Sequence, residues 1–306
     1  MSKVVILGVF VADTSYRAER MPRMGETILG KSFALGPGGK GSNQAVAAAR
    51  AGVETHMITK LGRDTFADMA LSIWREAGVT PQVTQHPESY TGAAFIFVDE
   101  HTGNNAIIVS PGIAGTISEA DIDKHAQLIG DATVFITQLE QPLPAARRAL
   151  EIAKAGGAIT ILNPAPAAAL PDGMLELCSY VTPNETEAEA LTGIRVVSID
   201  DALAAARALV AKGAGAAVIT LGEKGALFHN GAETVHVPVF NAGPVVETTG
   251  AGDSFNGAFA AAIARGAAPE DAVRFGCAAA SISVTRPGTA PSMPSEREIR
   301  ALLARD

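Results

Sequence analysis

Thr248-Thr249-Gly250-Ala251-Gly252-Asp253-Ser254-Phe255-Asn256-Gly257 places two glycines around one small residue, just ahead of an Ala-rich helical stretch at 252–264. Small residues let an anion approach the backbone. The free amides of a first helical turn point at such an anion, and the helix dipole favours negative charge there. An Asp beside a site that only binds phosphate would repel its ligand. Asp253 makes sense as a base that takes a proton from an attacking hydroxyl. The segment alone is also open to a plainer reading, in which Asp253 caps the helix.

Outward from this point, short apolar runs alternate with Ala-rich helical stretches. Strands are expected at 4–7, 56–60, 134–138, 159–163, 180–182 and 217–221. Helices are expected at 42–50, 65–76, 145–155, 185–191, 200–211, 252–264, 270–283 and 296–304. Repeated strand-then-helix order gives a parallel sheet with helices on both faces. Gly52 follows one helix, Gly156 and Gly157 another, and Ser198 can cap a third.

Two segments break the rhythm, 14–35 and 91–110. The second reads as strand 93–98, turn 99–104 and strand 105–109, with Gly103 suited to positive φ. Both are expected to form a small separate β-sheet over the sheet edge where ligands bind. A lid of that kind excludes water from phosphoryl transfer. The main body is then 1–13, 36–90 and 111–306.

Bulk properties narrow the function. The chain has 306 residues, 47% hydrophobic and 18% charged, enough for a sizeable core, and a formal net charge of −8. A nucleic-acid partner would call for a basic surface, so none is expected, whereas local amides can still hold a nucleotide's phosphates. Cys178 and Cys277 have no metal-ligand spacing and read as reduced thiols. No run approaches the ~18 apolar residues of a membrane span. The apolar run 4–11 is too short for a signal sequence and reads as a first strand, so a cytoplasmic location is expected.

A second glycine-rich stretch, Gly36-Pro37-Gly38-Gly39-Lys40-Gly41-Ser42-Asn43-Gln44, leads into another helix. It is not a Walker A loop, because Gly41 stands where that motif has Ser or Thr. Either its backbone approaches a polyol, with Lys40 and Asn43 offering hydrogen bonds, or it is only a glycine-rich turn and helix start.

Together, Gly38–Gln44 and Thr249–Ser254 resemble the two signature regions of the ribokinase, or pfkB, carbohydrate kinase family. The likeness extends through Asn163-Pro164-Ala165-Pro166, Thr182-Pro183-Asn184-Glu185-Thr186-Glu187-Ala188-Glu189, Leu191-Thr192-Gly193, Ile219-Thr220-Leu221-Gly222 and Val284-Thr285-Arg286 with Gly288, Pro291 and Ser292, in order along the whole chain. It implies a ribokinase-like three-layer α/β/α fold with a mainly parallel central sheet and a small β-sheet lid. It also implies ATP-dependent phosphorylation of the primary hydroxyl of a small sugar, with D-ribose first.

By the same resemblance, Asp253 is the general base, and Ala251, Gly252 and Asp253 form the anion hole. Asn184 and Glu187 organise Mg²⁺ and its waters; a solvated helix face is the alternative for Glu187 and Glu189. Thr220, Gly222 and Gly225 belong to the nucleotide-binding strand and loop, and Cys277 lies by the adenine as a small hydrophobe. Asp13, Gly39, Lys40, Asn43 and Glu140 contact the sugar. A monovalent cation, usually K⁺, sits near Glu247, Thr249, Ser283, Arg286, Gly288 and Ser292, mostly on backbone carbonyls.

Two positions depart from the pattern. Ribokinases typically carry Asn two residues before the sugar-binding Asp, and here Val11 precedes Asp13. A buried hydroxyl facing Val11 would lose its partner, at a cost of roughly 1–3 kcal/mol. A sugar lacking that hydroxyl, such as 2-deoxyribose, therefore stands as an alternative, as do ketose and nucleoside kinases. Glu247 replaces the usual Asp of the cation loop. A catalytically dead sugar or nucleotide sensor would show a lost base or broken anion hole, yet Asp253, Gly252 and Glu187 are all present. A Rossmann dehydrogenase fails, because no G-x-G-x-x-G follows the first strand. The apolar faces of the lid strands, with Ala94, Ile96 and Val98, suggest a homodimer paired through the lid.

Overall fold

In the first strand, Val4 and Ile6 pack into one apolar cluster and Val5 and Leu7 into another, all fully buried. Successive side chains of a strand point to opposite faces, so this sheet is covered on both. The computed structural model describes residues 2–305. Its strands are β1 (Lys3–Leu7), β2 (Val11–Ala18), β3 (Ser32–Gly38), β4 (Glu54–Gly62), β5 (Val79–His86), β6 (Thr91–Asp99), β7 (Asn105–Gly112), β8 (Val134–Thr137), β9 (Ile159–Leu162), β10 (Tyr180–Val181), β11 (Ala217–Thr220), β12 (Ala226–His229) and β13 (Thr234–Val237). Its helices are α1 (Lys40–Arg50), α2 (Thr65–Ala77), α3 (Glu119–Asp123), α4 (Ala126–Gly130), α5 (Leu143–Ala155), α6 (Glu185–Thr192), α7 (Ile199–Ala211), α8 (Ala251–Ala264), α9 (Pro269–Ser283) and α10 (Glu296–Leu303).

The large sheet runs β13-β12-β11-β10-β9-β8-β1-β4-β5. Pairing is parallel from β11 to β5 and antiparallel at β11–β12 and β12–β13. Helices α1, α2, α8, α9 and α10 bury their apolar stripes on one face, around Trp74, Phe255, Phe259 and Ile299. Helices α3, α4, α5 and α7 cover the other, with Ile122, Ile129, Leu150 and Leu209. The fold is the expected three-layer α/β/α arrangement with a mainly parallel sheet.

The second sheet is the lid, in the order β3-β2-β6-β7. Strand β2 pairs antiparallel with β3 but parallel with β6, and this parallel pair joins the two lid segments. The β6–β7 hairpin turns at Gly103, whose φ is 74°. Strand β2 begins at Val11 and β3 runs to Gly38, so Val11, Asp13 and Gly38 lie where the lid enters the body. Among the described residues, no helix is long and apolar enough to cross a membrane.

Candidate active site at the mouth of helix α8

Helix α8 starts behind Gly250, whose φ of 82° and ψ of 0° suit glycine. No side chain caps this end. The Ala251 amide donates to the Thr248 carbonyl at 3.2 Å and the Ser254 amide to Gly250 at 2.9 Å. The amides of Gly252 and Asp253 are left at the helix mouth, where an anion is favoured. A Cβ added at Gly252 would meet nothing within 4 Å. Neither packing nor backbone angle requires glycine there, so its missing side chain leaves room for something other than protein.

Asp253 does not cap the helix. It sits in the first turn, 7% exposed, and its carboxylate receives the Asn43 Nδ2 at 2.9 Å and the Gln44 Nε2 at 3.1 Å. Burial pushes its pKa up, while the Lys40 charge and these two hydrogen bonds pull it back.

Both partners come from the start of α1. That helix begins after Gly39 at φ 88°, where a Cβ would stand 2.6 Å from the Val9 carbonyl; at Gly41 it would stand 2.7 Å from the Gly8 Cα. Glycine thus lets α1 press onto the chain leaving β1. The Lys40 amide donates to Glu140 Oε2 at 2.8 Å. Burial raises Glu140 to about 7 against the pull of Lys40. Asp13 is raised to about 6 by burial, then by Asp253 and Glu247. Burial works against the Lys40 charge, but Asp253, Glu140 and Glu187 outweigh it and raise its pKa. A Cβ at Gly38 would overlap the Asp13 carboxylate, which lies over that backbone. Asn43 Oδ1 is buried with no protein partner among the described residues, and so can accept from a ligand hydroxyl. Val11, 3% exposed, lies among Val9, Ala94 and Leu139 and offers no polar atom.

Asn184 and Glu187 form a capping box on α6: the Glu187 amide donates to Asn184 Oδ1 at 2.8 Å, and the Asn184 amide to Glu187 Oε2 at 2.9 Å. Glu187 is buried and Glu189 exposed, so the solvated reading holds only for Glu189. Burial raises the Glu187 pKa, opposed by the Asn184 amide and Lys40. Thr220 extends the sheet beside Asn184, its amide donating to Pro183 at 2.9 Å. Gly222 (φ 53°) and Gly225 (φ 90°) turn the chain into β12. Cys277 is buried in the core beneath, its thiol pushed up by burial to about 12, and cannot act as a nucleophile at neutral pH.

Of the proposed cation positions, Thr249 adjoins Gly250 in the chain, Gly288 precedes Thr289, which packs against Gly250, and Glu247 is bonded to Gly288. The Gly288 amide donates to Glu247 Oε2 at 2.8 Å. The Val246 and Glu247 amides share the Val284 carbonyl. Ser283 and Ser292 spend their hydroxyls on the carbonyls of Ala280 and Thr289. The Arg286 guanidinium pairs with Glu298, and Thr249 is exposed. Thr289 Oγ1 donates to the Pro37 carbonyl at 2.6 Å, tying this loop to the end of β3.

Sequence reasoning gave no role to the amides behind Asp253. Gln138 Nε2 donates to Gln44 Oε1 at 2.6 Å, and Gln44 Nε2 reaches Asn163 Oδ1 at 3.1 Å as well as Asp253. Asn163 Nδ2 donates to the Thr182 carbonyl, Thr182 Oγ1 to Asn256 Oδ1, and Asn256 Nδ2 to the Gly252 carbonyl at 2.8 Å. Gln44 and Asn163 stand in quoted motifs, but nothing in the sequence marks the chain that links them.

A helix mouth that attracts anions, set beside a buried carboxylate, is compatible with transfer of an anionic group onto a hydroxyl. The chain belongs to the pfkB family of carbohydrate kinases, whose family model matches residues 1–296. It is 36% identical over 296 residues to the ribokinase of Haemophilus influenzae, covering 96% of each chain. It is 38% identical over 303 residues to the deoxyribokinase of Salmonella typhi, covering 98% of each. A solved structure of Arabidopsis thaliana ribokinase complexed with ribose and ATP shares the fold with a TM-score of 0.94 at 30% identity, over 99% of this chain and 98% of that one.

Proposed function

We propose that this protein transfers the γ-phosphoryl group of ATP to the primary hydroxyl of a small sugar, D-ribose giving D-ribose 5-phosphate. The observation that carries the proposal is the buried Asp253 carboxylate beside the open space at Gly252. Asp253 takes the hydroxyl proton, the freed oxygen attacks the γ-phosphorus, and ADP leaves. The free amides of Gly252 and Asp253 face the charge that builds on the transferring group, and the Ala251 amide joins them by giving up its bond to the Thr248 carbonyl. Asp13, Gly39, Lys40, Asn43 and Glu140 hold the sugar. Asn184, Thr220, Gly222, Gly225 and Cys277 line the nucleotide side.

Among the described residues, no three His, Cys, Asp or Glu are grouped to hold a metal. Mg²⁺ is commonly held by one or two carboxylates together with substrate phosphates, and the buried Glu187 is a carboxylate that fits this role. Glu187 would hold it through water, and the ion would neutralise phosphate charge. The carbonyls around Gly288, with Glu247, are donors of the kind K⁺ takes; Thr249, Ser283, Arg286 and Ser292 would join that set through their backbone carbonyls, since the Arg286 guanidinium and the two serine hydroxyls are engaged elsewhere. We place the enzyme in the cytoplasm as a homodimer joined through the lid.

A second reading, 2-deoxyribose as substrate, is favoured by Val11, whose buried side chain offers no hydrogen bond on the strand that carries Asp13. ADP release with Mg²⁺, K⁺ and ATP over ribose, 2-deoxyribose, fructose, ketodeoxygluconate and nucleosides separates the readings. The highest kcat/KM on ribose supports the first and on 2-deoxyribose the second. No turnover on any of them would return the protein to the sensor class.

A further inference from the structure

Asp253 receives two hydrogen bonds, and they come from side chains of different kinds. Asn43 has a second polar atom, Oδ1, that no protein group satisfies among the described residues. Gln44 is 0% exposed, and its amide nitrogen and oxygen are both engaged by protein. No substrate atom can reach it. A lone Gln amide can turn over and present its oxygen, which beside a carboxylate would repel. Here that turn is blocked. Gln138 Nε2 donates to Gln44 Oε1 at 2.6 Å, which fixes the oxygen end. Asn163 Oδ1 accepts from Gln44 Nε2 at 3.1 Å, and Asn163 is itself fixed by donating to the Thr182 carbonyl at 2.9 Å. The same chain ends on the Gly252 carbonyl through Asn256, so base and helix mouth share one support.

We infer that Gln44, pinned by Gln138 and Asn163, is a positioning residue that holds the Asp253 carboxylate ionised and aimed at the helix mouth. The inference rests on the reading of Asp253 as the base. A buried carboxylate must be met by hydrogen bonds or it takes up a proton, and a fixed donor also sets its angle.

The test is the pH dependence of kcat and kcat/KM of the full-length protein, with sugar KM, for Gln44→Leu and Gln44→Glu. Loss of a donor to a charged group moves the acid limb up by about one to two pH units. Gln44→Glu moves it in the same direction, because two adjacent carboxylates cannot both ionise freely. The other charged groups around Asp253 are Lys40, Glu140, Asp13 and Glu187, with Glu247 beyond Asp13. Gln44→Leu adds no charge, so those groups shift in it only through their coupling to Asp253; Gln44→Glu adds a charge that they also feel, and Gln44→Leu is therefore the variant whose limb reports Asp253. At neutral pH, kcat is expected to fall about tenfold to a hundredfold, with sugar KM near the wild-type value. A folded variant with an unmoved acid limb, or one that loses sugar KM at unchanged kcat, overturns the inference. If neither variant folds, Gln138→Leu decides: it removes the bond that holds the Gln44 oxygen, so Gln44 can turn that oxygen towards Asp253, and an acid limb and kcat both unmoved overturn the inference. Asp253→Asn keeps the two failures apart. Retained turnover in that variant defeats the base assignment; its loss alongside unaltered Gln44 variants defeats only the positioning role.

Discussion

The backbone of Gly257 on α8 lies directly against Ala47 on α1: a Cβ at Gly257 would stand 2.5 Å from the Ala47 Cβ and 2.5 Å from the Gln44 carbonyl oxygen. This crossing is what brings Asn43 and Gln44, from one glycine-rich motif, to Asp253 in the other. Gly257→Ala must push the helices apart. Overpacking of this kind costs about 1–3 kcal/mol. The variant is expected to lose that much stability in denaturant unfolding, and to lose kcat as well because the donors to Asp253 retreat.

Gly252→Ala separates stability from activity. The added methyl meets open space, and α8 gains a better helix former by about 0.5–1 kcal/mol. Melting temperature should hold or rise while phosphoryl transfer falls, because the methyl fills the room left at the helix mouth. A variant as active as wild type would show that no ligand uses that space.

Stability of the ligand-free protein should depend on pH through Asp13 and Glu140. Both fold with raised pKa values, about 6 against an ordinary 3.8 and about 7 against 4.5. The native state therefore binds protons that the unfolded chain releases. Their contribution is complete below about pH 4 and is lost as pH rises through 6 and 7. Glu298 works the other way. Despite the upward push of burial, Ser295 and Arg286 hold it down at about 2, so its contribution is lost as pH falls from 4.5 towards 2. Thermal melts from pH 4.5 to 8 should fall with pH in wild type, and less steeply in Asp13→Asn and Glu140→Gln.

On one face of the lid, Leu35 and Ile108 stand in register across the sheet on either side of Phe95, and Tyr16 packs on Phe33 and Phe95; Phe33, Leu35, Tyr16 and Ile108 are exposed, Ile108 to 66%. An exposed apolar face of this kind marks an interaction surface. Light scattering at micromolar concentration should give a dimer, and Ile108→Glu should give a folded monomer. A monomeric wild type would contradict the proposed pairing.

The strands and helices with strong apolar patterning were legible in the sequence because burial on one or both faces leaves a periodic trace. Strand β1 and helices α2 and α7 lie within a residue or so of their expected bounds. Strand β5 was not, because Val79-Thr80-Pro81-Gln82-Val83-Thr84-Gln85 is mostly polar and sits at the sheet edge, where little need be apolar. Helices α3 and α4 are five residues each, too short to show a period. The β12–β13 hairpin adds an antiparallel edge that a strand-then-helix rhythm does not announce. At the site, glycines and carboxylates stand out because their chemistry is unusual where they occur. Gln138 and Asn256 do not, since a neutral amide acquires a role only from the distance to its partner.

Strands β2 and β3 belong to the cover and to the floor of the site at once. Val11 and Asp13 are the first and third residues of β2, and Pro37 of β3 is bonded to the loop that packs beside Gly250. A tilt of the small sheet would carry Asp13 with it and, through the Thr289 hydrogen bond to Pro37, reach the loop beside Gly250. On the roles proposed above, seating of the acceptor and shape of the helix mouth would then respond to the same movement.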